Sequence, residues 1–324
     1  IGDVMELWHE TRAIVKAGLR YLNEGCCLPI QWLSKDKSTK WDVRKVAFQI
    51  VPKLNSTGRL ADMANANNTV RFLLMKDVTA IENFAKQIEK LNQLRRTMSN
   101  QMSEAAQALI HETEDFYVLY DESFHEGLSG LVAGKLCEQL QAPVAVFAKG
   151  KEGLKGSIRS QGLVDLRDFF ADCPLSLLAY GGHHSAAGIS IRFEDLDALK
   201  EFIKKKMTVF PKQEEANITA INCHMREINV EAVLQLERLS PFGEGFPAPL
   251  FQIMDYRASN LRQLSQGKHV KWESLEHIDA LYFNAKDVYA KYQGETQLSF
   301  LGTLGINEYR NEKKVNIFVH EVIS

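Results

Sequence analysis

Between Thr79 and Glu112 the chain carries neither proline nor glycine, and the apolar residues Ile81, Phe84, Ile88, Leu91, Leu94, Met98, Met102 and Ala105 recur every three or four positions. That spacing sets them on one face of a 3.6-residue repeat and predicts a single long helix. Its other faces are polar, so the helix is expected to remain partly exposed. A chain of 324 residues is too long for one ordinary core, and two or three domains are expected around that helix.

Ahead of it, residues 5–24 show helical spacing, with Leu7, Ile14, Val15, Leu19 and Leu22 on an apolar stripe that Gly25 ends. Residues 42–60 carry a short apolar run into an NSTGR loop, and residues 61–75 read as helix. Behind it, FYVLY (116–120) and APVAVFA (142–148) read as strands flanking a helix over 128–140 that Gly127 and Gly130 open. This is a β-α-β unit, and a parallel-leaning sheet is expected. An amphipathic helix over 196–207 closes the segment, and the charge-rich KQEEAN (212–217) marks a linker. Residues 230–239 look helical, and PFGEGFPAPLF then breaks regular structure with glycine and proline. The tail alternates like short strands at 277–285, 297–307 and 315–322. Five or so strands in about a hundred residues fit a small barrel. The fold class is therefore α/β followed by all-β.

Composition narrows the function classes. Hydrophobic content of 45% and charged content of 25% are those of a soluble globular protein. No apolar run is long enough to span a bilayer and no signal peptide is visible, so no membrane role and a cytoplasmic location are expected. Five cysteines include no CxxC pair and no zinc spacing and read as reduced structural thiols. A net charge of −2 neither supports nor excludes nucleic acid: a protein that wraps a duplex is usually basic, whereas one that threads a single strand needs only a local positive channel. Basic clusters occur at Arg95-Arg96, at Lys149 with Lys151 and Lys155, at Lys204 to Lys206, and at Lys268 with His269 and Lys271. Such clusters are most often solvated helix faces. Lys268, His269 and Lys271 rank highest because they fall in the barrel segment.

Three short motifs carry the chemistry. GGHHSAAG (181–188) sets His183 and His184 after Gly181 and Gly182, so that backbone and imidazole can approach a phosphate. GSIRS (156–160) supplies Ser157, Arg159 and Ser160, hydroxyls and a guanidinium fork suited to a phosphodiester. LNSTGRL (54–60) gathers Asn55, Ser56, Thr57 and Arg59 around Gly58. Each alone is commonly a turn or a cap; the three together favour a polyanion. His125 precedes the 128–140 helix, where the positive helix end favours anions, or else it is a cap.

With these motifs in their order, together with IGDVMEL at the start, FHEGLSGLVAGKL (124–136), LSPFGEGFPAPLF (239–251), GKHV (267–270) and GINEY (305–309), the chain resembles the RecJ-type single-strand-specific exonucleases of the DHH phosphoesterase superfamily. The resemblance implies four parts: the end of a DHH core over 1–78, a connecting helix over 79–112, an α/β DHH-associated domain over 113–211, and an oligonucleotide-binding (OB) barrel over 217–324. It implies a 5′-to-3′ exonuclease acting on single-stranded DNA in recombination and repair, with a pair of Mn or Mg ions. Asp3 would be the last core metal ligand. Arg59, Ser157 and Arg159 would bind the terminal phosphate and set polarity. His183 would lie near the scissile phosphate, with Asn55, His125, Ser160, Gly181 and Gly182 around the substrate, and Lys268, His269 and Lys271 on the barrel track. Trp272, Tyr282, Phe283 and Tyr309 are candidate stacking residues. A single-strand-binding protein and a RecQ-like helicase are the partners the resemblance suggests.

Two positions depart from the family pattern: Lys53 stands where arginine is usual, and Phe246 where asparagine is common. No Asp-His-His string occurs, so the sequence reads as a fragment with little nuclease activity of its own. A single-strand-binding module is the first alternative. The second is a hydrolase of small phosphoesters or oligonucleotides, against which the barrel counts.

Overall fold

The computed structural model describes residues 1–324 except 3–4, 35–39, 211–218, 286–287, 310–311 and 324. The chain divides into two compact units. One comprises residues 28–33 and 49–216; the other comprises 1–27, 34–48 and 217–324. The segment expected as a single core remnant, 1–78, is thus shared between both units.

In the first unit the expected long helix is present as Val78–Ala108, 31 residues. Asp77 caps it by accepting from the Ala80 amide at 2.7 Å. Ile81, Ala85, Ile88, Asn92, Met102, Ser103 and Ala106 are its buried residues. Leu94, placed on the stripe by its spacing, is exposed. Helices Leu28–Leu33 and Val51–Arg59 pack on it. Lys53 makes that junction: its buried ammonium donates to the Leu33 carbonyl at 2.5 Å and pairs with Glu89 of the long helix at 2.6 Å. The lysine that replaces the usual arginine is therefore a packing element.

NSTGR is not a loop but the last residues of helix Val51–Arg59. Gly58 costs a helix about 1 kcal/mol, yet Ser56 and Thr57 are buried and return their hydroxyls to the carbonyls of Lys53 and Leu54 at 2.6 and 2.8 Å. Their polar groups are thus satisfied without leaving the helix.

The unit's sheet has the order β1-β2-β3-β5-β4, with β1 Tyr117–Tyr120, β2 Val144–Lys149, β3 Leu154–Arg159, β4 Ala179–Gly182 and β5 Ala186–Ile191. Only β1 and β2 run parallel, joined through helix Ser129–Leu140. The remaining pairs are antiparallel, which corrects the expectation of a parallel-leaning sheet. The connection from β2 to β3 is a tight turn at Gly150–Gly153, and short connections permit only antiparallel pairing. β2 has an apolar run rather than an alternation because Val144, Val146 and Ala148 face one core while Ala145 and Phe147 face another.

In the second unit five strands close a barrel: β7 Phe251–Leu264, β8 His269–Ser274, β9 Asp279–Tyr282, β10 Gln297–Tyr309 and β11 Glu312–Ile323. The order β7-β8-β9-β11-β10 returns to β7, with β9 and β11 parallel. That is the five-stranded Greek-key topology of an OB fold. A short strand β6, Ile221–His224, adds parallel to β7. Trp272 and Tyr256 are fully buried, and the Tyr256 hydroxyl donates to the Trp272 and Ile278 carbonyls.

The PFGEGF loop of this unit grips the start of helix His9–Asn23, none of whose own residues is buried. Arg12 donates to the carbonyls of Pro241, at 2.6 Å, and Leu239. Its guanidinium lies 4.1 Å from the Phe246 ring, against which Trp8 sets its edge. Phe246, the second departure from the family pattern, thus acts as an internal clamp.

Candidate nucleic-acid interface

Ser157 and Arg159 alternate along β3 with buried Gly156 and Ile158, so period-two geometry puts both on one face of the strand. That face meets helix Ser129–Leu140. A methyl group placed on Gly130 would lie 2.9 Å from the Arg159 guanidinium and 3.5 Å from the Ser157 hydroxyl. At Gly134, one turn further, it would lie 4.0 Å from Cγ of Arg159. The two glycines form a trough for the arginine stem. Arg159 donates to the Ile158 carbonyl at 2.7 Å and otherwise faces Cys137, whose thiol burial pushes up to about 11. The thiol is neutral at physiological pH and supplies no counter-charge.

Arg59 reaches the same place from the end of helix Val51–Arg59, its guanidinium 3.4 Å from the Gly127 carbonyl. Gly127 lies so close beneath that a Cβ there would stand 1.8 Å from the Arg59 carbonyl oxygen; only glycine fits. Burial lowers the pKa of both arginines, and for Arg159 the charge of Arg59 adds to the effect. Two guanidiniums of like charge, each partly withdrawn from water, suit an anion. The nearby carboxylates are otherwise engaged: Glu126 pairs with Lys155 at 2.7 Å and Asp62 with His125 at 3.2 Å. Among the described residues no carboxylate pairs with Arg59 or Arg159. Asn55, one turn before Arg59, is exposed on the same helix face.

Two expected ligands have other roles. Ser160 is fully buried and donates to the Val164 carbonyl at 2.7 Å, and its hydroxyl also lies 3.4 Å from the His184 carbonyl. It fixes the β3 exit and is out of a substrate's reach. His125 accepts from the Gly127 amide at Nδ1, 3.1 Å away, which leaves Nε2 to donate to Asp62. With both nitrogens committed, the ring ties the loop before the helix to the segment after Arg59.

GGHHSAAG forms the β4–β5 hairpin at the sheet edge. Gly181, Gly182, His183 and His184 are all exposed. Gly182 is sterically required, since a Cβ would lie 2.4 Å from the Ala186 carbonyl oxygen; nothing stands within 4 Å of one on Gly181. The hairpin therefore offers an open backbone edge with His183 beside it.

On the barrel, Lys268 is exposed. His269 accepts from the Asn284 amide at 3.1 Å and sets its ring edge-on to exposed Phe283, 5.2 Å away. Arg44 covers the neighbouring Phe318 at 3.9 Å. Lys271 is committed within the protein: its ammonium bridges Asp279 at 2.8 Å and Glu273 at 3.2 Å. Burial opposes the charge on Lys271, but these two partners outweigh it and raise its pKa. Of the stacking candidates, Trp272 belongs to the core and Tyr282 packs against it, which leaves Phe283. The side chain of Tyr309 and the whole of Asp3 lie outside the described residues.

Glu273 titrates with consequences. Burial raises its pKa, but hydrogen bonds from Asn260 and Lys271 and the charges of Lys271 and Arg262 lower it by more. A depressed carboxylate stabilises the fold above its unfolded pKa of about 4.3 and loses that contribution as pH falls through its folded value. Urea unfolding is expected to show an acid-side loss of stability that Glu273→Gln reduces; identical pH profiles for both proteins would reject this role.

Arg44, Phe318 and the Gly127–Arg59 contact are not legible in the sequence as site features, because each depends on juxtaposition across the fold rather than on a local motif.

A DHHA1 domain model matches residues 105–235, and a RecJ OB domain model matches residues 220–321. The single-stranded-DNA-specific exonuclease RecJ of Bacillus subtilis is 27% identical over 340 residues, covering 99% of this chain and 42% of its own length. That of Haemophilus influenzae is 26% identical, covering 98% and 59%. The crystal structure of RecJ in complex with Mn2+ from Thermus thermophilus superposes with a TM-score of 0.81 at 25% identity, over 100% of this chain and 48% of that one. A Mg2+ complex from the same organism gives 0.79. The chain thus spans about half the length of the relatives it matches.

Proposed function

We propose that this chain, which a DHHA1 domain model and a RecJ OB domain model match in succession, is of RecJ type and supplies the strand-holding part of a 5′-to-3′ exonuclease for single-stranded DNA. The observation that carries the reading is the meeting of the Arg159 guanidinium and the Ser157 hydroxyl over Gly130, with Arg59 on the Gly127 carbonyl three residues earlier and, among the described residues, no carboxylate paired with either arginine. Guanidinium forks match phosphate oxygens bidentately, and neither arginine can shed its charge. A terminal phosphate is proposed to seat there, Ser157 donating a further hydrogen bond. His183, on the open hairpin edge, would face the phosphate to be cut and stabilise its developing charge. Lys268, His269 and Phe283 would guide the trailing strand, the ring by stacking on bases.

Relatives in this family are seen with Mn2+ and Mg2+. Among the described residues no three His, Cys, Asp or Glu side chains come together in a way that could hold a metal ion. No hydrolytic step is assigned to these residues, and Mn or Mg would be held chiefly by groups other than them. The RecJ OB domain match over residues 220–321 supports a second reading, in which the polypeptide by itself binds single strands without cutting them. A role in recombination and repair in the cytoplasm, with a single-strand-binding protein and a RecQ-like helicase delivering substrate, follows from the same family reading. Among the described residues no helix is long and apolar enough to cross a membrane.

The test is direct. The purified chain is expected to bind oligothymidylate more tightly than a duplex of the same length, to prefer a 5′-phosphate over a 5′-hydroxyl end, and to release little nucleotide with Mn2+ or Mg2+. Equal affinity for both end groups would remove the terminal-phosphate reading. Brisk metal-dependent release of nucleotides would remove the division between holding and cutting.

A further inference from the structure

The long helix bears on the phosphate pair. Leu60, next to Arg59, is fully buried in a cluster with Leu128, Val132 and Met102, and Leu91 and Met98 pack against it. Arg95 is four residues after Leu91 and three before Met98, so it shares their helix face and lies at the border of that cluster. Its Nε donates to Asn92 Oδ1 at 3.2 Å, and Asn92 is itself only 3% exposed. A buried amide therefore aims the side chain. Arg96, by contrast, is exposed. Arg95 also borders an open depression of about 420 Å³ whose other lining residues, Gln93, Arg96, Thr97, Ser99 and Asn100, are all polar. Among the described residues no carboxylate pairs with Arg95. Burial lowers its pKa most, and the charges of Arg96 and Arg59 lower it further, which places it within electrostatic reach of Arg59.

We propose that Arg95 is the third cationic wall of the terminal-phosphate site and the residue that distinguishes a phosphomonoester end from a phosphodiester or a hydroxyl. The inference rests on the reading of Arg59 and Arg159 as a phosphate seat. A terminal monoester carries close to two negative charges at neutral pH and offers three free oxygens, whereas a diester carries one charge and offers two. Two guanidiniums suffice for a diester. A third, held partly out of water with no acid beside it, matches the additional charge and the additional oxygen.

The experiment measures dissociation constants of the full chain for a short oligothymidylate with a 5′-phosphate and for the same strand with a 5′-hydroxyl, by fluorescence anisotropy. Arg95→Ala is expected to reduce the preference for the phosphorylated strand about tenfold, as for one charge-assisted hydrogen bond, and to leave hydroxyl-ended binding nearly unchanged. Arg96→Ala is expected to weaken both strands alike. Should Arg95→Ala not fold, Arg95→Gln keeps the stem and a donor for Asn92 and carries the same expectation. An unchanged preference, or an equal loss for both strands, overturns the proposal. Arg159→Ala separates the two levels: if it removes the preference while Arg95→Ala does not, the phosphate seat stands and the third wall fails. If neither variant alters the preference, the seat itself fails.

Discussion

Arg159→Ala is expected to weaken binding of a 5′-phosphorylated single strand about a hundredfold and to leave the fold intact. The magnitude follows from losing two charge-assisted hydrogen bonds, each ~1.5 kcal/mol at the low end of its range. The fold should survive because, among the described residues, the arginine makes only one hydrogen bond, to the Ile158 carbonyl, and its stem lies in a glycine-lined trough rather than in the apolar core. Removing a guanidinium close enough to feel the Arg59 charge also removes a like-charge repulsion in the unliganded protein. A slightly raised thermal midpoint together with a lost preference for phosphorylated ends is therefore the expected pair of results. A loss of affinity that is the same for hydroxyl-ended strands would instead make Arg159 one more contact in a diffuse positive field. Arg159→Lys is expected to recover only part of the preference, since an ammonium keeps the charge but lacks the planar fork.

Residue patterning reveals the elements better than it reveals the site. The long helix, the helix at 196–207 and the β1–β2 pair follow from periodicity, because each buries a continuous stripe or face. The outer half of β7 escapes such a reading for a physical reason. Beyond Tyr256 the outer half of β7 is mostly exposed on both faces, so no apolar alternation marks it, and only backbone pairing with β8 keeps it a strand. NSTGR reads as a loop because Gly58 and three small polar residues look like a turn until their burial against the long helix is known. The site shows the same division. Arg59, Ser157 and Arg159 sit in compact motifs and can be named from them. Ser160, one residue past Arg159 and so out of phase with both Ser157 and Arg159, is buried instead. Lys271 advertises a positive charge that Glu273 on its own strand and Asp279 on the neighbouring one neutralise. Arg95 shows in the sequence only as half of the basic pair Arg95-Arg96; its place beside Arg59 arises only when Leu60 packs against the helix face it shares.

Gly127→Ala is expected to destabilise the first unit by roughly 3 kcal/mol or more and to remove the preference for phosphorylated ends. The new Cβ would stand 1.8 Å from a backbone carbonyl oxygen, that of Arg59, and 2.8 Å from its carbon. A backbone cannot rotate away as a side chain can, so helix Val51–Arg59 must separate from the loop that precedes helix Ser129–Leu140. Two further links cross the same junction and would be stretched with it: the Arg59 guanidinium on the Gly127 carbonyl, and His125 on Asp62. Gly130→Ala provides the contrast three residues away. There the Cβ meets, at 2.9 Å, the far end of the Arg159 side chain, which can swing aside at little cost to the fold while leaving the site. Urea unfolding should accordingly show a lowered midpoint for Gly127→Ala and a nearly unchanged one for Gly130→Ala, whereas both variants lose end discrimination. A Gly127→Ala protein with parental stability would mean that the junction yields freely, and the two arginines would then owe their proximity to something other than the packing of this loop against the helix end.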